Sequence, residues 1–150
     1  MAERVIGLEN SSIASGAGIA ASKLEHEHRA TVSQTSTVAA ATHYLTVNRS
    51  TGTLLSLEAA ITEAIATGGD RTITIDLLRS TGAAAFASVL TSTLQFTSAS
   101  TLYLNSAATI SSTSMADGDL WKLTVTVAGA AGAQATGIVI SLTWRENTSQ

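Results

Sequence analysis

Residues 70–79, DRTITIDLLR, set Ile73, Ile75 and Leu77 in alternation with Thr72, Thr74 and Asp76. Successive side chains of a strand point to opposite faces, so this pattern describes a sheet with one dry and one wet face. The stretch 119–146, DLWKLTVTVAGAAGAQATGIVISLTWRE, carries the same period twice. Residues 120–127 read as one strand. In residues 138–145, Ile138, Ile140, Leu142 and Trp144 face one way, and Val139, Ser141, Thr143 and Arg145 face the other. This repeated period points to an all-β fold.

Further segments fill in the strand pattern. Residues 31–37 and 43–48 (HYLTVN) read as strands, the second followed by the turn residues Ser50, Thr51 and Gly52. Residues 54–67 are ambiguous. As a helix, Leu54, Leu57, Ile61 and Ile65 share one side, with Ser56 as N-cap and Gly68 at the C-terminal end. As a strand, Leu55, Leu57, Ala59 and Ile61 alternate with Leu54, Ser56, Glu58 and Ala60. The surrounding sheet context favours a strand from 54 to 61. Residues 89–97, 101–105 and 109–112 are expected as further strands, the first placing Leu90, Leu94 and Phe96 on one face. Asp117-Gly118 signals a turn, and the glycine-rich link 129–137 reads as a hairpin loop. Many short strands at this spacing indicate an antiparallel β-sandwich or jelly roll over residues 25–150. Residues 1–24, rich in Ala, Ser and Gly, read as an extended N-terminal arm. Its Val5, Ile6, Leu8, Ile13 and Ile19 suit an arm lying on a partner's surface.

Composition narrows the function. At 150 residues the chain fits one domain with a core of its own. It contains no cysteine, which excludes disulfides, thiolate metal sites and a Cys nucleophile. A net charge of -3 gives no basic footprint for nucleic acid. No apolar run reaches the roughly 18 residues of a membrane span, and the start lacks the pattern of a secretory signal. Charged residues make up 13% of the chain, and none falls between Arg79 and Asp117. That neutral stretch is rich in Ser and Thr. Hydroxyls desolvate more cheaply than ions, so such a surface suits burial against another protein.

Candidate chemistry is sparse. His26 and His28 flank Glu27, and on a strand both imidazoles would project to one side. Two ligands are too few for a closed zinc site, and His43 stands apart, so no metal is expected. Only a homotrimer gathering three copies on its axis, or a jelly-roll enzyme using both histidines, would change that. Asp70, Asp117 and Asp119 sit in turns, where Asp bonds local backbone amides, and Asp76 lies on a wet face. Gly68-Gly69-Asp70 is no P-loop, and no GxSxG elbow occurs. Neither a catalytic residue nor a cofactor is expected. Trp121, Trp144 and Tyr103 would favour glycan binding if exposed and coplanar, and a scaffold if buried.

The stretch GGDRTITIDLLRS, followed by MADGDLWKLTVTVAGAAGAQATGIVISLTWRE, resembles a recurrent type of tailed-bacteriophage protein. The shared pattern is a GD turn, a TVTVDL-like strand, a later GD turn, an alternating strand, a Gly/Thr-rich loop ending in TG, and a terminal strand near an acidic residue. LEHEHRATVSQ is similar to the N-terminal part of such proteins, so the resemblance spans roughly residues 23–146. Where many relatives carry a Lys-Asn-Gly turn, this chain has LLRS. The resemblance implies a β-sandwich or jelly-roll virion protein, a capsid decoration (cement) or head-fibre protein on the capsid exterior. It further implies the major capsid protein as partner and a homotrimer as the assembling unit. A fibre or host-attachment module binding surface glycan is the alternative.

Overall fold

The computed structural model describes residues 26–47, 51–65, 67, 69–130 and 132–146. The arm residues Val5, Ile6, Leu8, Ile13 and Ile19 lie outside these. Ten strands are present: β1 (His26–Thr37), β2 (Ala41–Val47), β3 (Gly52–Ile61), β4 (Thr72–Ser80), β5 (Ala87–Ser88), β6 (Leu94–Phe96), β7 (Ser106–Ala107), β8 (Ser114–Met115), β9 (Leu120–Ala128) and β10 (Thr136–Glu146).

They form two antiparallel sheets. The first runs β1-β10-β3-β7, with β8 also on β3. The second runs β2-β9-β4-β5, with β6 also on β4. Strands equally far from the two ends of the described chain therefore pair: β1 with β10, β2 with β9, β3 with β7 and β8, β4 with β5 and β6. This is one long hairpin rolled up on itself, the jelly-roll order. Most consecutive strands lie in opposite sheets, so the loops bridge the layers. The link 129–137 is one of these: it carries the chain from β9 in one sheet to β10 in the other, and is not the expected hairpin loop.

The core lies between the sheets. Ile73, Ile75 and Leu77 of β4 and Trp121, Leu123 and Val125 of β9 face Leu57, Ala59 and Ile61 of β3 and Ile138, Ile140 and Leu142 of β10; all are buried. The alternation read in β4, β9 and β10 is thus the dry face of each sheet. Burying such side chains stabilises by about 1.5–3 kcal/mol each.

Residues 52–61 form a strand, with a correction of phase. Thr143 of β10 lies opposite Ser56, but Trp144 lies opposite Leu54, so Leu55 is an extra residue on β3. A bulge of this kind shifts which side chains point inward. Leu54 is buried, while Leu55 is 37% exposed. The helix-like spacing of Leu54, Leu57 and Ile61 is therefore the mark of a bulged strand. Gly52, expected in a turn, opens β3 instead.

Residues 89–112 also depart from expectation. The strand expected over 89–97 is interrupted: a single bridge joins Leu90 to Ile110, and pairing resumes only at β6. Residues 101–105 are not a strand but a loop in which Tyr103 has φ 57°. Two glycines fix the sheet-to-sheet link. Gly129 (φ 82°) packs on the Asp70 backbone, and Gly137 (φ 73°) packs on Thr62 Oγ1. A Cβ at either place would collide with these neighbours, and the left-handed backbone favours glycine.

Candidate functional site

Arg79, which opens the neutral stretch, meets Asp119, just past its far end, in space. Asp119 is fully buried, and its Oδ2 lies 3.8 Å from Arg79 Nη1. Asp119 also accepts hydrogen bonds from Thr81 Oγ1 (2.6 Å) and from the Ala116 amide (2.8 Å). Arg79 donates to the Ser114 carbonyl, and its guanidinium stands 5.8 Å from the centroid of the Trp121 ring. Each oxygen of a buried carboxylate needs a donor, and here every donor comes from the base of the segment 80–119. The cluster cinches that segment where it leaves and rejoins the ladders. Its geometry is that of a structural clamp.

Within the segment lies a depression of about 200 Å³, walled by Ala84, Ala85, Ala87 and Val89 with Ser88 and Arg79. Arg79, the one ionisable group of its lining, is already engaged in the clamp.

The outer face of the first sheet changes character along its length. Glu27, Arg29 and Arg145 occupy one end. Next come Thr31, Ser141 and Glu58, tied by hydrogen bonds from Arg29 Nε to Ser141 Oγ (2.5 Å) and from Asn105 Nδ2 to Glu58 Oε2 (2.6 Å). At the far end Val139 stands beside Ala60. One residue on, the Ile61 carbonyl accepts the Tyr103 amide at 3.0 Å. Val139, Tyr103 and Leu104 are 43%, 75% and 56% exposed, so three of the five large exposed apolar residues among the described ones lie at this end of the sheet. The left-handed φ of Tyr103 costs about 1–2 kcal/mol in a residue with a Cβ.

The second sheet presents Thr42, Thr124, Thr126 and Thr74 outward, with Asp76 bonded by Ser88 Oγ at 2.6 Å. At one end Tyr44 and Phe86 have ring centroids 6.2 Å apart, tilted by 56°, and Lys122 Nζ covers Phe86 at 4.3 Å. Lys122 thus covers the Phe86 ring, while Tyr44 is 65% exposed.

The residues singled out in the sequence separate. Trp121 is core. Trp144 is half-buried and stacks on His28 across the β1–β10 pair, with centroids 5.4 Å apart. Tyr103 alone of the three is exposed, so they form no coplanar platform. His28 Nε2 lies 3.3 Å from Glu146 Oε2, near enough for an ion pair but without hydrogen-bond geometry. Among the described residues no three His, Cys, Asp or Glu side chains group as metal ligands. No described helix is long and apolar enough to cross a membrane. Asp70 Oδ1 accepts the Ala130 amide at 2.8 Å, which ties its turn to the link 129–137, 60 residues on in the chain, where a bond to local turn amides was expected. Sequence reasoning missed the clamp and the apolar corner. The first was signalled only by Arg79 opening an uncharged run and Asp119 lying two residues beyond Asp117, which closes it. Comparison with protein-family models, with curated proteins and with solved structures finds no match.

Proposed function

We propose that this chain is a non-enzymatic virion structural protein, a decoration protein that binds the outer face of a capsid shell and stabilises it. One observation carries the reading: the uncharged segment 80–116 meets the sheet in a corner where Tyr103, Leu104 and Val139 are exposed. An exposed tyrosine with apolar neighbours is the kind of anchor that interface hot spots use. The jelly-roll order and the resemblance to tailed-bacteriophage decoration proteins agree with it. The partner is then the major capsid protein, the assembling unit a trimer, and the location the capsid exterior. Many copies on a repeating lattice act through avidity. The arm 1–24 would add the apolar contacts of Val5, Ile6, Leu8, Ile13 and Ile19 to a neighbouring subunit.

The test mixes purified chain with capsids stripped of accessory proteins. The reading expects saturable co-sedimentation and a rise in the temperature at which the shells break. Absence of saturable binding refutes it.

A further inference from the structure

Two histidines two residues apart are too few to hold a metal ion, but the register of the first sheet brings them a third donor. His26 stands directly opposite Glu146 on β10, and His28 directly opposite Trp144. Alternate positions of a strand share a face. Positions 26 and 28 of β1 and 144 and 146 of β10 therefore lie on one face, in line with Ala30 and Val32, which pack against the core. Positions 27, 29 and 145, a glutamate and two arginines, take the opposite face.

His28 is already set as a ligand needs to be. Its ring stacks on Trp144, 17° from parallel, which holds its plane. Its Nε2 is buried, no hydrogen bond reaches it, and Glu146 Oε2 lies 3.3 Å away. A simple hydrogen-bonded pair would aim the ring N–H at the carboxylate, and this one does not. Two donors on one tetrahedral ion, each bonded at about 2.1 Å, stand roughly 3.4 Å apart with neither aimed at the other.

We propose that His26, His28 and Glu146 bind one divalent transition-metal ion, with zinc as the fitting case. Two imidazoles and a carboxylate make three of its four ligands, and water takes the fourth place. The ion cross-links the start of β1 to the end of β10. This site goes beyond the decoration reading, and neither depends on the other.

The test is calorimetric titration of zinc into the full, untagged chain after chelator treatment, with melting as a second readout. The wild type is expected to take up one ion per chain and to melt at a higher temperature with zinc than without, since an ion that binds only the folded chain stabilises it. His26→Ala, His28→Ala and Glu146→Gln, each checked for folding by its melt without zinc, are expected to weaken uptake at least about tenfold and to lose the rise in melting temperature. Glu146→Gln keeps the shape of the side chain, so the test stands even if a histidine variant fails to fold. Glu27→Gln, on the opposite face, is expected to bind zinc as the wild type does. No saturable uptake by the wild type, or full uptake by any of the three folded variants, overturns the proposal. One ion per three chains would put the ion between copies and overturn it as well. Loss of capsid binding with zinc uptake intact would count against the decoration reading and leave this site standing.

Discussion

β9 and the segment 81–119 adjoin in the chain but are held in place differently. β9 pairs along its length with β4, from Thr72 opposite Ala128 to Ser80 opposite Leu120, and every second side chain enters the core. The segment has four strands of two or three residues. It is pinned instead by buried Val89, Leu90, Phe96 and Met115, by single backbone bonds such as Ala108 to Leu57 (2.9 Å), and by the Arg79–Asp119 clamp. Continuous ladders leave side chains on the outer face free to be plain Thr and Ser. A pinned loop can project large side chains at chosen points. Both regions are anchored in the core, the ladders by continuous pairing and the segment by separate pins, and on the proposed function recognition belongs to the pinned segment.

The sharpest way to break this contrast is to pull a pin. Phe96→Ala should cost about 3–5 kcal/mol in chemical denaturation, as much as a ladder residue such as Leu123→Ala at about 2–5 kcal/mol. If Phe96→Ala is nearly neutral, the segment is not anchored as described. Asp119→Ala leaves the Thr81 hydroxyl and the Ala116 amide without their acceptor and should cost about 2–3 kcal/mol. The loss should appear first as faster amide exchange within 81–119, before the ladders open. Gly137→Ala should cost at least about 1–2 kcal/mol, since the added Cβ meets Thr62 on left-handed backbone. A melting temperature equal to wild type would show that the sheet-to-sheet link can relax. The smallest stability effect belongs to the exposed corner. Tyr103→Ser with Leu104→Ser should change stability by about 0.5 kcal/mol or less, yet weaken capsid binding by about tenfold or more. A drop in stability with intact binding would reverse the assignment of roles.

What the sequence made legible follows the same division. In β4, β9 and β10 the dry face is written directly as Ile, Leu and Val at period two. The period says which side is buried but not which sheet comes next, so the link 129–137 looked like a hairpin loop. The bulge at Leu55 gave β3 a helical spacing, because one extra residue turns i, i+2 into i, i+3. Leu102, Tyr103 and Leu104 have the composition of a strand, but only the Tyr103 amide reaches β3, and two of these side chains point to solvent. Asp119 was recognisable as a turn residue. Its burial was not, because that depends on Arg79 and Thr81, about 40 residues earlier, being brought to it by β4 and β9.

The most direct test of the account is hydrogen exchange on the chain free and bound to saturating stripped capsids. The account predicts slowed exchange in residues 101–109 on binding, with the β4 and β9 ladders already protected and unchanged. Equal exchange in that loop with and without capsids, under conditions where the chain is bound, would contradict it.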